Sequence, residues 1–248
     1  MLGVLSLTLV TVLLFVFTLF LFRSFTAHRS ELAQRWSERG RAALQAGKPD
    51  EAIVDMRTAL YYAPDTRAYE LLLAQALDEA GCKGCAEESY QYFLGLWDTE
   101  PGDGEINLQL ARLAAKRKDR QAAVNFYRAA LYGTWEGDGV TRRVAVRLEL
   151  ARYLIEGHDP AAARLELLTA GGNAPDDFDR DMALGALLQQ ADDPADAWIY
   201  YKKAVADKPD DRSALEAAGR AASEAGDSEN APQDGAAAAK PAGARDGR

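Results

Sequence analysis

Over most of the chain, apolar positions recur with the spacing of one helix face, and short runs of Gly, Pro and Asp separate the helices. The first stretch is different. Leu2–Phe22, LGVLSLTLVTVLLFVFTLFLF, contains no charged residue. Its polar members Ser6, Thr8, Thr11 and Thr18 can all bond back to a helix backbone. At the rise of an α-helix the run is about 31 Å long, the thickness of a bilayer core. Residues 1–22 are therefore predicted to be a transmembrane anchor that meets the lipid bilayer through residues 2–22, with a juxtamembrane segment at 23–32. A cleaved secretory leader usually starts basic and has a shorter apolar run. Here nothing basic precedes the run; a cut after Ala27 is the alternative and keeps most of the remainder.

Beyond the anchor, GKPDEAIVDMRTALYYAPDT (Gly47–Thr66) reads as one helix between a turn and a proline stop. Alone it cannot bury its apolar stripe, so copies are expected. Taking Ala52 as reference, equivalent alanines stand at Ala86, Ala123, Ala163 and Ala197, spaced by 34, 37, 40 and 34 residues. Four residues later come Met56, Tyr90, Tyr127, Leu167 and Tyr201, and seven later Ala59, Phe93, Ala130, Ala170 and Ala204. Twelve later come Pro64, Asp98, Trp135, Pro175 and Pro209; twelve earlier come Gly40, Ala74, Ala111, Ala151 and Gly185. Small residues let two helix backbones approach, larger ones fill the neighbouring hole, and the prolines disfavour helix at the preceding residue.

These positions resemble the tetratricopeptide repeat, a helix–turn–helix unit of about 34 residues. Trp36, four before Gly40, occupies the motif's tryptophan position, and Ala197–Asp211 (AWIYYKKAVADKPDD) and Ala122–Tyr132 are the closest matches. The resemblance implies an all-α solenoid of five repeats over 33–211, at 33–66, 67–100, 104–137, 144–177 and 178–211. Residues 212–226 read as a capping helix. Residues 227–248 lack any aromatic or branched aliphatic residue and are expected to be disordered. Phe93, standing where a small residue is expected, predicts a local shift in the second repeat. The wider spacings place insertions near Pro101–Asp103 and at YGTWEGDGVTRR, a loop that is either a contact or a tolerated length variation.

Charge narrows the function. Across 248 residues the formal net charge is −9, which disfavours nucleic-acid binding, since phosphates select a basic face. No basic residue precedes the anchor, whereas Arg23, Arg29, Arg35, Arg39 and Arg41 follow it; the positive-inside rule then places the repeats in the cytoplasm. Some of these arginines can instead serve the first soluble helix, so Arg23 and Arg29 carry most of the argument.

Candidate chemistry is sparse. The two cysteines, Cys82 and Cys85, have the CxxC spacing of redox pairs and metal half-sites, in the turn of the second repeat. A structural zinc site needs four ligands and no second pair exists. The readings are turn thiols without a role, a redox-sensitive pair, or a half-site completed by a partner. His158 lies in the equivalent turn of the fourth repeat, before Asp159-Pro160, a helix-start signature. No cofactor, metal or catalytic residue is expected.

In repeats of this kind, helix A lines the concave face. The position after its small residue reads Arg41, Gln75, Arg112, Arg152, Ala186 and Arg220, with Lys116 one turn from Arg112. The expectation is a face that binds a protein or peptide, acidic in character; the competing reading pairs these arginines with Glu105, Glu149 and Glu156. The chain thus reads as a single-pass membrane scaffold with cytoplasmic repeats and no catalysis. The rivals are an envelope-side chaperone-associated protein and a thiol redox protein using Cys82 and Cys85. The layout also resembles that of the bacterial lipopolysaccharide assembly protein B family, an anchor followed by cytoplasmic repeats. The paired CxxC motifs of that family's rubredoxin-like domain do not occur after the repeats here.

Overall fold

A computed structural model describes residues 2–172 and 177–226. Among them are eleven helices and no strand. The expected disordered segment 227–248 and the proline stop at Pro175 lie outside the described residues. The chain forms two compact units, Met1–Ala123 and Val124–Arg248.

The first unit holds α1 (Leu2–Gln45), α2 (Pro49–Tyr62), α3 (Arg67–Ala80), α4 (Cys85–Thr99) and α5 (Gly104–Lys116), each packed on the next. Helix α6 (Arg120–Tyr132) carries the boundary between the units. The second unit holds α7 (Gly139–Glu156), α8 (Pro160–Gly172), α9 (Phe178–Gln190), α10 (Pro194–Asp207) and α11 (Arg212–Glu224). There α7 packs on α8, α8 on α9, α9 on α10 and α10 on α11.

The apolar run and the first amphipathic helix are one helix, because α1 crosses residues 23–32 without a break. No Pro or Gly lies between Val4 and Arg39, so nothing local stops it. The Thr26 hydroxyl donates back to the carbonyls of Phe22 and Arg23, and Arg35 pairs with Glu31 one turn away. From Thr11 the helix is long and apolar enough to cross a membrane, and its side chains from Thr11 to Phe25 are exposed. Its second half buries Ala33, Ser37, Gly40 and Ala43 instead.

Close approach explains the small residues. A Cβ on Gly40 would stand 2.6 Å from the Met56 Cε of α2, and one on Gly185 would stand 2.7 Å from the ring of Tyr201 in α10. Ala52, Ala123, Ala163 and Ala197 are fully buried, as are Ala59, Ala130, Ala170 and Ala204 seven residues on. The second repeat shifts its buried face. Ala86 and Tyr90 are half-buried, while Cys85, Ser89, Phe93 and Leu96 turn inward. The Ser89 hydroxyl donates to the Ala74 carbonyl across the pair at 2.7 Å. Phe93 is fully buried, so the helix has turned in a way that seats a ring where the other repeats place an alanine.

The turns inside the helix pairs share one frame. Gly47, Gly81, Lys118, His158 and Asp192 each stand five residues before the repeat's reference alanine, and each has a positive φ near 60°. In the last three pairs the next residue is an aspartate that caps the following helix. Asp119 accepts from the amide of Ala122, Asp159 from Ala162 and Asp193 from Asp196. Asp103, Asp138, Asp177 and Asp211 cap α5, α7, α9 and α11 in the same way. Hydrogen bonds from the Thr141 hydroxyl and from the Thr141 and Val140 amides hold the Asp138 carboxyl below its usual range. Seven of the chain's 38 acidic residues thus serve as helix caps.

Candidate functional site

The residues expected to meet a ligand separate into three kinds of environment. Arg41 in α1, Arg152 in α7 and Arg220 in α11 are exposed and form no ion pair among the described residues. Each directly follows a buried small residue, Gly40, Ala151 or Gly219, so the backbone beneath each is held against its neighbour while the guanidinium stays in water. Gln75 and Arg112 are half-buried. Lys116 is held by Asp78 of α3, with Nζ 2.6 and 2.7 Å from the two carboxylate oxygens. Asp78 is a partner the sequence reading did not pick, 38 residues away, and it neutralises Lys116 within the first unit.

Two of the acids named as competitors each accept a hydrogen bond from a neutral side chain. Glu105 accepts from the Gln109 amide at 2.7 Å, and Glu149 accepts from the Tyr127 hydroxyl at 2.9 Å. Glu156 is exposed. Burial pushes the Tyr201 phenol upward, so it stays protonated and donates to Gln189 at 2.9 Å.

Among the arginines that follow the apolar run, Arg35 pairs with Glu31. Arg39 grips the buried Asp55 through two nitrogens and lies 4.1 Å above the Trp36 ring. Both therefore serve the first helix pair. Arg29 donates to the Tyr61 carbonyl at the end of α2, at 2.9 Å.

Cys82 and Cys85 are joined by a disulfide across the α3–α4 turn. Cys82 is exposed and Cys85 is buried. The amide of Cys85 also donates to the Cys82 carbonyl at 3.0 Å, and Gly84 supplies the positive φ of 90° that this turn needs. Among the described residues no group of three or more His, Cys, Asp or Glu side chains could hold a metal ion.

The long connection before α7 is organised by its own bonds. The Trp135 indole donates to the Ala130 carbonyl at 2.9 Å, and Arg143 donates to the carbonyls of Leu131 and Gly133. Beside it, Tyr132, Val140, Val144, Arg143 and Arg147 line a groove of about 480 Å³. Sequence placed this loop but not the groove, because the Arg143 bonds that shape it span 10 and 12 residues.

No protein-family model matches the sequence, and no curated protein matches it. Similarity is found among solved structures. PilF of Pseudomonas aeruginosa is 18% identical, covering 85% of this chain and 90% of that one at TM-score 0.59. The C-terminal part of a TPR repeat-containing protein from Cytophaga hutchinsonii is 15% identical, covering 76% and 71% at TM-score 0.61. YrrB, a TPR protein described as having an unusual peptide-binding site, is 13% identical, covering 73% and 89% at TM-score 0.50. At such identities the likeness establishes the fold: an all-α, tetratricopeptide-like solenoid behind one long apolar helix.

Proposed function

We propose that the protein is a membrane-anchored scaffold, without catalysis, that holds a protein or peptide ligand at the cytoplasmic membrane face. The observation that carries this reading is made within the second unit: Arg152 and Arg220 are exposed, unpaired among the described residues, and at one repeat position in a chain of net charge −9, and Arg41 repeats the pattern within the first unit. Exposed cations in an acidic protein attract a carboxylate-rich segment, speed encounter and lose strength as salt rises. The peptide site named for YrrB, on a similar fold, supports a peptide as the kind of ligand. Within the first unit Arg112 and Gln75 are half-buried, and Lys116 is occupied by Asp78.

The test is capture from gently solubilised membranes with the full chain. Changing Arg152 and Arg220 of the second unit together to Glu should abolish capture of the main partner and leave the helical circular dichroism unchanged. Capture of the same partner at the same salt tolerance would refute the arginine reading. A second reading places the repeats on the envelope side of the membrane. The Cys82–Cys85 disulfide favours it, because such bonds persist in oxidising compartments; Arg23 and Arg29 favour the cytoplasm. Protease added outside intact spheroplasts leaves cytoplasmic repeats uncut and digests envelope-side ones.

A further inference from the structure

We propose that the first unit carries a docking groove for an extended segment of a partner protein that bears a lysine or arginine side chain. The groove runs along one face of α4 beside the start of α3, and it is distinct from the arginines of the second unit.

Helices α3 and α4 pack as a pair. Glu88, Tyr92, Gly95 and Leu96 fall on one face of α4 by their spacing, and Asp65, Arg67 and Glu70 at the turn into α3 stand opposite. Between them lies a groove of about 580 Å³. That is within the range of ligand sites, about 300–1,000 Å³.

Gly95 is the feature that packing does not explain. It lies inside α4, where glycine is a poorer helix former than alanine. Gly40 and Gly185 make room for Met56 and Tyr201, whereas a Cβ on Gly95 would meet no atom within 4 Å. The residue is exposed, and its bare backbone leaves the groove floor open. A missing side chain at such a place admits a second backbone at close range.

Charge selects the occupant. Arg67 is the cation in the lining, and it is already shared by Glu100 and Asp103. Glu88 is matched by Arg57 of α2, at 2.7 and 2.9 Å. The carboxylates of Asp65 and Glu70 have no ion pair among the described residues, so the surplus in the groove is negative. A cleft lined by one sign of charge focuses its field on an entering ion of the other sign. Tyr92 and Leu96 offer an apolar floor to the stem of a lysine or arginine while its head meets the carboxylates.

The experiment uses the full chain in phosphatidylcholine nanodiscs, probed with a displayed library of short random peptides. Gly95→Leu and Glu70→Gln chains are probed in parallel. The open space at Gly95 accepts a leucine and leucine favours the helix, so Gly95→Leu should melt no earlier than the wild type. Peptides that the wild type retains and Gly95→Leu does not should be several-fold richer in Lys and Arg than the library. They should also bind Glu70→Gln several-fold more weakly. If only acidic peptides are retained, or if basic ones bind all three chains alike, the groove is refuted, whatever the arginines of the second unit do. Should Gly95→Leu melt early, equal binding of basic peptides to Glu70→Gln and wild type is enough to refute it. A wild-type dimer that Gly95→Leu dissociates would give the groove to a second copy of this chain and overturn the proposal.

Discussion

The α3–α4 turn and the turns between α5 and α6, α7 and α8, and α9 and α10 solve one problem in two ways. In the last three, an aspartate at the helix start accepts from the amide three residues on: Asp119 from Ala122, Asp159 from Ala162, Asp193 from Asp196. In the second repeat the same two positions are Cys82 and Cys85, and they are joined covalently. Helix α4 has no side-chain cap of its own. The disulfide therefore stands where the other repeats have a capping hydrogen bond, which gives the CxxC pair a structural reason that spacing alone did not reveal. It also coincides with the one helix whose buried face has turned, bringing Cys85 inward and leaving Ala86 half-buried.

If the bridge replaces a cap, removing both is the most damaging change. Cys82→Ala with Cys85→Ala should cost about 2 kcal/mol in denaturant unfolding, given the short loop that the bridge closes. Hydrogen exchange should quicken first in the opening turn of α4. An unchanged midpoint would mean that the bridge carries no stability. Breaking the other half of the comparison is milder: Asp159→Ala or Asp193→Ala should each cost about 1 kcal/mol. Converting one solution into the other sharpens the point. Cys82→Asp in a Cys85→Ala background should recover about 1 kcal/mol relative to the double alanine variant. No recovery would show that the α4 start cannot use an aspartate cap.

The smallest effect concerns the shared left-handed residue. Gly47 and Gly81 adopt it freely, whereas Lys118 and His158 bear a side chain at φ 61° and 60°. His158→Gly should therefore stabilise by less than about 1 kcal/mol, since relief of strain is partly offset by a more flexible unfolded chain. Gly81→Ala should destabilise by a similar amount. The same sign for both, read by thermal unfolding, would contradict the common turn frame.

Sequence made the repeat register legible because close helix approach tolerates only Gly or Ala, and such positions recur at fixed offsets. Gly40 against Met56 and Gly185 against Tyr201 are the contacts that impose this. Phe93 signalled a disturbance in the second repeat, and the turned face of α4 is its form. The unbroken α1 was less legible: the composition changes at Phe22, but a change of surroundings is not a helix stop. Of the candidate ligand residues, sequence located the positions but not their partners. Lys116 with Asp78 and Arg39 with Asp55 join residues on different helices, and such pairs depend on packing that no local pattern encodes.

The 44-residue α1 makes a shaft about 66 Å long with no joint in it. If its first half is clamped by a bilayer, any lean of that half is delivered undamped to the second. A lean of about 10° carries the far end of the packed half, some 30 Å away, sideways by about 5 Å, comparable to one helical pitch. The first helix pair would then follow the thickness of the lipid layer as a needle follows its pivot.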